Sequence, residues 1–327
     1  MASPDLYDGA LHYMQTAAWA EVKSDFGWKA DYLTLNNSSV IAYKRGIPGV
    51  GKLIYVPGLS TANIPETAKF TAGLMDNYMK RAFGVRLEFN HAYDEQLLKD
   101  LMKKGWKMCP SHVQYRHTVV VDLNQTEEDM WMNFKSRGRY EVLQAQKFGV
   151  KIEEAAPIEE NLQKMYELMQ ITSSRNKFFI RDSKFTFAYW RKFSSLGQLK
   201  LFFALHDGDT LAGAVVLTSG RASWYKDGGS VRVKSNMMAP RLMQWEIMKL
   251  LKADGITTYD LGGIPAPESH KNSSMHGIYV FKTAFSKDTI SLMPTLELPL
   301  GTRYGLWPRA EKQWLRVYNL FAHNLWW

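Results

Sequence analysis

The chain has 327 residues, of which 46% are hydrophobic and 22% are charged, and its formal net charge is +9. This length and composition are typical of a globular protein with two domains and exclude a disordered or fibrous chain. The single cysteine, Cys109, excludes an internal disulfide and a cysteine-based metal cluster, and it indicates a reducing compartment such as the cytoplasm. The first 15 residues lack the pattern of a secretion signal, and no segment reaches the roughly 18 apolar residues of a membrane span. We therefore expect neither export nor membrane insertion.

The positive charge has two explanations. It is typical of a protein that binds polyanions, such as nucleic acid, nucleotide phosphates or anionic lipid. It is also consistent with a charge that only keeps the protein soluble. The net charge by itself does not choose between them.

The first predicted elements are two strands, residues 39–44 and 52–56, joined by the segment RGIPGVG. From Gly46 to Lys52 this segment also fits the G-x-x-x-x-G-K spacing of a phosphate-binding loop, but Leu53 occupies the position of the magnesium-binding Ser or Thr. A strand pattern follows, so no helix N-terminus is present to receive phosphates. We interpret the segment as a hairpin loop.

Helical and strand patterns alternate along the rest of the first half. One helix ends at Gly84 and is followed by a short strand that runs into Asn90. Thr126 is an N-cap candidate for a long helix with three acidic residues in its first turn. The predicted elements are a helix over 64–83, a strand over 85–89, a helix over 93–105, a strand over 113–123 and a helix over 126–149.

The second half repeats this arrangement. A helix ends at Gly255 and leads to a short strand that ends near Asp260, as Gly84 and Asn90 do in the first half. We therefore expect two mixed α/β lobes, residues 1–150 and 151–327, with ligands at strand ends. The predicted elements of the second half are helices over 159–172 and 184–194, strands over 200–229, a helix over 238–253 and a strand over 257–261.

Four motifs in fixed order carry a resemblance to a known family: TAAWAEVK at 16–23, YVPG at 55–58, YDLGGI at 259–264 and YVFKTAF at 279–285. Together they resemble the FemABX family of aminoacyl-tRNA-dependent peptidyl transferases, which build peptidoglycan cross-bridges. The match is to short members that lack a coiled-coil arm. It implies a fold of two lobes similar to the GCN5-related acetyltransferases, with an acceptor groove.

The resemblance also implies a reaction. Members move an amino acid from its tRNA ester to an amine of the peptidoglycan stem peptide, and the acceptor is either the UDP-linked muramyl pentapeptide or its lipid-linked form, lipid II. Ester aminolysis requires a neutral amine and stabilisation of an oxyanion, so we expect no metal or redox cofactor. We expect a monomer.

Lys282, flanked by Tyr279 and Phe281, is the expected oxyanion-stabilising residue, because its ammonium would act strongly in partly dry aromatic surroundings. Asp260 either positions a donor group or caps a turn. Its neighbouring glycines permit close approach of the backbone to a ligand. The alternative for Lys282 is a surface lysine on an amphipathic helix.

The resemblance assigns acceptor-binding residues as well. Lys23 and Arg181 match cations that contact the acceptor diphosphate, and paired cations suit that group. Tyr225 matches a tyrosine of the acceptor groove. For each of the three, a solvated charge or a core aromatic is the ordinary alternative.

Three positions depart from the family pattern. Asn90 stands where relatives can carry an aspartate, Asp227 where some carry a second tyrosine, and Gln144 where a cation is expected. An amide cannot accept the proton of the attacking amine, so we expect Asp227, or a carboxylate of the acceptor itself, to orient and help deprotonate that amine.

The last segment, AEKQWLRVYNLFAHNLWW, places Trp314, Val317, Phe321 and Leu325 on one helical face. It is interpreted as a helix docked on the second lobe or as an interfacial membrane anchor. Two other functions stay open: a CoA-dependent N-acyltransferase, although no R/Q-x-x-G-x-G/A loop precedes a helix, and a noncatalytic binding module.

Overall fold

The structure is a computed structural model that describes residues 6–35, 38–60, 67–109 and 111–322. The chain divides into two compact units, residues 1–114 together with 291–327, and residues 115–290. Each unit contains one mixed β-sheet.

The first unit has a six-stranded sheet in the order β1-β2-β3-β4-β13-β5, in which β3 and β4 are parallel and the other neighbours are antiparallel. Its core contains Phe70, Leu74 and Trp106 from the helical side and Val85 and Leu87 from the sheet, all almost fully buried. Numbered in chain order, its elements are α1 (Ala17–Asp25), β1 (Lys29–Leu35), β2 (Ser38–Ile47), β3 (Gly51–Leu59), α2 (Thr67–Tyr78), β4 (Gly84–Phe89), α3 (Glu95–Lys103), β5 (Lys107–Met108), β13 (Leu296–Pro299) and α10 (Trp307–Ala322).

The second unit has a seven-stranded sheet in the order β12-β6-β11-β10-β9-β8-β7, in which β10 and β11 are parallel. One face of the sheet packs on a core that includes residues of α5 and α8, and the other face contacts α6. Its elements are β6 (His117–Asp122), α4 (Glu127–Asn133), α5 (Ser136–Lys147), β7 (Lys151–Ala155), α6 (Glu159–Asn176), α7 (Ser183–Ser195), β8 (Leu199–His206), β9 (Asp209–Ser219), β10 (Ala222–Ser230), α8 (Ala239–Ala253), β11 (Thr258–Ile264), α9 (His276–Lys282) and, at the boundary, β12 (Ile290–Ser291).

The two sheets share one pattern. In the first unit the antiparallel strands β1 to β3 are followed by α2 and by β4, which is parallel to β3. In the second unit β8 to β10 are followed by α8 and by β11, which is parallel to β10. The repeat that the sequence indicates is therefore present in the fold, and the segment RGIPGVG is the turn of the β2–β3 hairpin.

The boundary between the units is not at residue 150, where the sequence places it. Strand β6 pairs with β11, with Asp122 opposite Thr258, so residues 115–150 belong to the second unit. Strand β13 pairs with β4, with Leu296 opposite Leu87, so residues 291–327 belong to the first. A strand pattern shows that a segment is extended but not which distant strand it pairs with.

The helix predicted over 126–149 is two helices, α4 and α5, separated at Phe134 and Lys135. The Phe134 ring is fully buried, with edge-to-face contacts to Trp245 and Phe285 at centroid distances of 5.3 and 5.2 Å. The Lys135 amide leaves the helical pattern and donates to the carbonyl of Ala284 at 2.9 Å. The break thus follows from tertiary contacts, which local periodicity does not report.

The C-terminal helix α10 packs on the first unit. One of the two interpretations of its sequence instead docks this helix on the second lobe. Trp307 is fully buried, Glu311 forms a buried ion pair with Arg86 at 2.6 Å, and the Tyr318 hydroxyl accepts a hydrogen bond from Arg45 at 2.5 Å. Val317, on the expected apolar face, is 48% exposed. The Phe321 side chain and Leu325 lie outside the described residues.

Among the described residues, no helix combines the length and the apolar composition that crossing a bilayer requires. The longest described helix, α6, has 18 residues, so no described segment forms a coiled-coil arm.

Candidate active site

Strand β11 carries a β-bulge within the motif YDLGGI. Asp260 is opposite Val120 and Gly263 is opposite Thr118, so β11 has one residue more than β6 between these pairs. Gly262 has a φ of +75°, which a residue with a Cβ rarely adopts. The buried Asp260 carboxylate accepts hydrogen bonds from the Gly262 amide at 2.7 Å and from the Thr118 hydroxyl. Asp260 therefore stabilises the bulge.

The bulge binds the side chain of Lys282, the last residue of α9. The Lys282 ammonium donates a hydrogen bond to the Gly263 carbonyl at 3.0 Å, and it lies 5.9 Å from the centroid of the Tyr225 ring. A Cβ at position 262 would be 3.3 Å from this ammonium, so the glycine leaves room for it. The two motifs YDLGGI and YVFKTAF thus meet at one charged group.

The ammonium is poorly solvated. Burial lowers the pKa of Lys282 to about 8, and the nearby Asp260 carboxylate opposes this shift. At neutral pH the group is still mostly protonated. A half-buried cation with unused hydrogen-bonding capacity is suited to stabilising negative charge that develops on a substrate oxygen.

Two charged residues fix the helix that carries Lys282. Arg241, in α8, donates to the carbonyls of Phe281 and, at 3.4 Å, Val280, and its Nε lies 2.6 Å from a carboxylate oxygen of Glu141 in α5. Both side chains are more than nine-tenths buried. Neither residue belongs to the four motifs that carry the resemblance, although an arginine and a glutamate on apolar helix faces indicate a buried ion pair.

The aromatic neighbours of Lys282 have different surroundings. Phe281 is half-buried against the core and lies under the Arg241 guanidinium at 4.6 Å. Tyr279 stacks on His270, with ring centroids 3.8 Å apart and planes 8° from parallel. The Lys135 ammonium is 6.0 Å from the Tyr279 ring.

Tyr225 and Asp227 lie on opposite faces of the sheet. Tyr225 is opposite Val216, a core residue on the α5 and α8 side, whereas Asp227 is opposite Val215, because Lys226 forms a bulge in β10. In a regular strand residues i and i+2 share a face, and one extra residue reverses this. Tyr225 therefore shares the face with Lys282 and Asp227 does not.

Asp227 is engaged in the interior. Its carboxylate accepts hydrogen bonds from the Tyr189 hydroxyl and from the Trp190 indole at 3.0 Å, both in α7, and Lys226 is 3.5 Å away. The amine-orienting role expected for Asp227 gains no support from this geometry.

Replacing Asp227 by asparagine should therefore affect stability more than turnover. An amide retains one acceptor oxygen but loses the charge-assisted bonds, and we expect about 1–3 kcal/mol of destabilisation. Urea unfolding and initial transfer rates on the same preparations measure the two effects. A large loss of turnover with unchanged stability would return Asp227 to the mechanism.

Lys23 and Asn90 belong to the first unit. Lys23, near the end of α1, is 3% exposed, and its ammonium is 4.9 Å from the Trp28 ring, which also lies 5.6 Å from the Arg45 guanidinium. Asn90 follows β4 and is 4% exposed. Within the described residues its side-chain nitrogen has no hydrogen-bond partner. A buried, unused donor at a strand end is available to a ligand.

Arg181 belongs to the second unit, in the connection from α6 to α7. Its guanidinium is 4.6 Å from the Phe185 ring, and its carbonyl accepts a hydrogen bond from the Tyr166 hydroxyl at 3.0 Å. Lys23 and Arg181 lie in different units, and a shared diphosphate site stays a prediction. The described residues contain no group of three or more His, Cys, Asp or Glu side chains that could hold a metal ion.

Comparison with known proteins identifies the family. The model of the FemAB family matches residues 94–207 and 194–312, which together make up most of the chain. The chain belongs to the FemAB family. The family expected from the four sequence motifs is thereby confirmed.

Individual relatives of this FemAB-family chain are distant in sequence. It is 22% identical to the lipid II:glycine glycyltransferase of Staphylococcus epidermidis, over 82% of this chain and 83% of that protein. It is 21% identical to the lipid II:glycine glycyltransferase of Staphylococcus haemolyticus, again over 82% of this chain and 83% of that protein. Both alignments cover most of each partner.

Solved structures show the fold of this FemAB-family chain. The crystal structure of FemX aligns with a TM-score of 0.79 at 19% identity, over 92% of this chain and 94% of that one. The C-terminal domain of a putative lysylphosphatidylglycerol synthetase from Agrobacterium fabrum aligns with a TM-score of 0.56 at 11% identity, over 92% and 93%. The expected fold class, mixed α/β with two lobes that each contain a mixed sheet, is confirmed.

Proposed function

We propose that this chain transfers an amino acid from aminoacyl-tRNA to the side-chain amine of the stem peptide of a peptidoglycan precursor. The observation that carries the proposal is the half-buried Lys282 ammonium, held on the bulge of β11 by two of the motifs that carry the resemblance. Family membership and two relatives described as lipid II:glycine glycyltransferases support amino-acid transfer in cell-wall synthesis. The tRNA donor rests on the resemblance in sequence.

The proposed chemistry is ester aminolysis. The neutral acceptor amine attacks the ester carbonyl of the donor, a C–N bond forms, and the C–O bond to the tRNA ribose breaks. The amine loses a proton, and the ribose oxygen gains one. Lys282 donates a hydrogen bond to the former carbonyl oxygen while this oxygen carries the negative charge of the tetrahedral intermediate. Because Asp227 faces the other side of the sheet, we assign the orientation of the amine to a carboxylate of the acceptor peptide itself.

The remaining site residues bind substrate in this proposal. As the resemblance implies, Lys23 and Arg181 bind the diphosphate of the acceptor, and Asn90 donates a hydrogen bond to a substrate through its unused amide nitrogen. Tyr225 and Phe281 form the apolar surroundings of the reacting ester. Tyr279 and Asp260 act mainly by shaping this wall.

The acceptor we favour is the lipid-linked precursor, because the names of the relatives specify lipid II. The UDP-linked precursor is the alternative that the assay below includes. The donor is found in the cytoplasm, so we place the reaction at the cytoplasmic side of the membrane.

A CoA-dependent acyltransferase is less well supported. Such enzymes bind the CoA pyrophosphate on a glycine-rich loop that opens a helix after a β-meander. In the second unit the corresponding helix is α8, and the segment before it, residues 231–238, contains no glycine. Met238, immediately before α8, has a φ of +53°.

The experiment that tests the function incubates the protein with mixed charged tRNAs and with lipid II or the UDP-linked pentapeptide, and measures product mass. We expect a product heavier by one or more amino-acid residues, formed only when tRNA is charged. Product from acetyl-CoA alone would favour the acyltransferase. Binding of both substrates without any product would favour the noncatalytic module.

A further inference from the structure

The connection from α6 to α7 presents an apolar surface to solvent. Its sequence over residues 177–182 is KFFIRD, and Phe178 and Phe179 are 40% and 58% exposed. Connections between helices usually carry polar residues at such positions. Two adjacent exposed phenylalanines therefore require an explanation.

The backbone of this connection is held at both ends. Lys177 ends α6 in the left-handed conformation, with a φ of +55°, and the Phe178 carbonyl accepts a hydrogen bond from the Ser173 hydroxyl. The Arg181 carbonyl accepts one from Tyr166, and Asp182 caps α7 by accepting from the Phe185 amide at 2.7 Å. The phenylalanines thus project from a fixed loop.

A second exposed segment adjoins the end of α6. Arg175 donates to the Ser230 carbonyl at 2.7 Å, and the Ser230 amide donates to Thr172 at 2.8 Å. The residues that follow Ser230 include Val233, which is 62% exposed, and the exposed Arg232. Burial, together with the nearby charge of Arg232, lowers the pKa of Arg175. The segment that begins at Ser230 therefore lies against the end of α6.

The charge around the phenylalanines has one dominant sign. Residues 175–184 contain four cations and one carboxylate, that of Asp182, which is used as a helix cap. Exposed apolar side chains bordered by lysine and arginine are the combination that binds the interface of an anionic membrane, where rings enter the headgroup region and cations meet lipid phosphates.

The geometry points to this loop as a membrane-docking element: Phe178 and Phe179 insert into the interface of an anionic bilayer while Lys177 and Lys184 contact its headgroups. The lipid surface is favoured over RNA because Ile180 continues the apolar run and offers no ring for a base to stack on. The inference deepens the proposed function, since a lipid-linked acceptor is presented at such a surface.

Sedimentation with vesicles of phosphatidylcholine, with and without phosphatidylglycerol, tests the proposal directly. We expect the wild type to bind only the anionic vesicles. Compared with the wild type, F178S/F179S should bind these vesicles at least tenfold more weakly, and K177Q/K184Q about tenfold more weakly. The matched control is Y140S/L143S, which removes two exposed apolar side chains of α5 in the same unit and should bind as the wild type does.

Equal vesicle binding by F178S/F179S and the wild type overturns the proposal. So does a loss confined to tRNA affinity, which would make the loop an RNA contact. Circular dichroism and thermal unfolding show whether each variant is folded.

The outcome is separable from that of the proposed function. Vesicle binding is measured without any substrate. If the proposed function holds as well, F178S/F179S transfers to lipid II in anionic vesicles at least tenfold more slowly than the wild type, whereas Y140S/L143S transfers as the wild type does. If the protein binds vesicles but transfers nothing, only the proposed function fails.

Discussion

Replacing Lys282 by methionine lowers the rate constant for amino-acid transfer by about a hundred- to a thousandfold. This is the usual cost of removing one preorganised donor to an oxyanion. Methionine has a similar length and keeps the aromatic contacts but cannot donate to a carbonyl oxygen. Single-turnover transfer from charged tRNA measures the effect, and tRNA affinity should change much less. A rate within a factor of a few of the wild type would remove Lys282 from the chemistry.

The pH dependence of transfer separates two roles for this lysine. The attacking amine must be neutral, so the rate rises with pH. If Lys282 acts as an ammonium, the rise flattens above pH 8, because its pKa is lowered to about 8. In K282R the charge persists and the rise continues. If Lys282 were instead a neutral base, the wild-type rate would show an additional increase through pH 8.

Stability provides the control for K282M. The folded-state pKa of about 8 lies below the ordinary 10.5, so between these values the unfolded chain binds more protons and the free energy of unfolding rises with pH. Below pH 8 the folded state carries the whole cost of a desolvated charge, at most about 3 kcal/mol. K282M should therefore unfold at a higher temperature than the wild type at pH 7, and its lost activity cannot be attributed to unfolding.

Replacing Arg86 by methionine destabilises the first unit by about 3–5 kcal/mol, because two buried carboxylates lose their cation. The Arg86 guanidinium is fully buried and donates to Glu297 at 2.5 and 2.8 Å and to Glu311 at 2.6 Å. Urea unfolding followed by tryptophan fluorescence measures the loss. The triple variant R86M/E297Q/E311Q, which has no buried charge at these positions, should recover much of it.

The matched control for R86M is K44M. Lys44 and Asp31 form an ion pair with about a quarter to a third of each side chain exposed, and removal of such a pair costs about 1 kcal/mol or less. If R86M lost no more stability than K44M, the network would not hold α10 to the sheet.

Local features of the fold were predictable. The β2–β3 hairpin and the helices α6 and α7 follow from glycine spacing and apolar periodicity within single segments. The break between α4 and α5 at Phe134 was not predictable from the local sequence, because it results from contacts with the rings of Trp245 and Phe285, which are distant in the sequence. The partners of β6 and β13 were missed for the same reason.

The site shows the same division. Two of the motifs that carry the resemblance, those around Gly263 and Lys282, lie together in the structure. The bulge at Lys226 places Tyr225 and Asp227 on opposite faces of the sheet. The regular alternation of a strand would instead predict that these two residues share a face. The glycine at position 228 is consistent with this bulge, because a side chain there would overlap the Tyr225 hydroxyl.

The first unit is built from two segments that are separated in the sequence, and this has a consequence for biosynthesis. The second unit is one uninterrupted segment, whereas the first needs β13 and α10, which follow the second unit in the sequence. On the ribosome, strands β1 to β5 therefore cannot complete their sheet until β13 and α10 have been made, because Arg86 has its carboxylate partners in these two elements. A premature stop before β13 would thus harm the first unit more than the second.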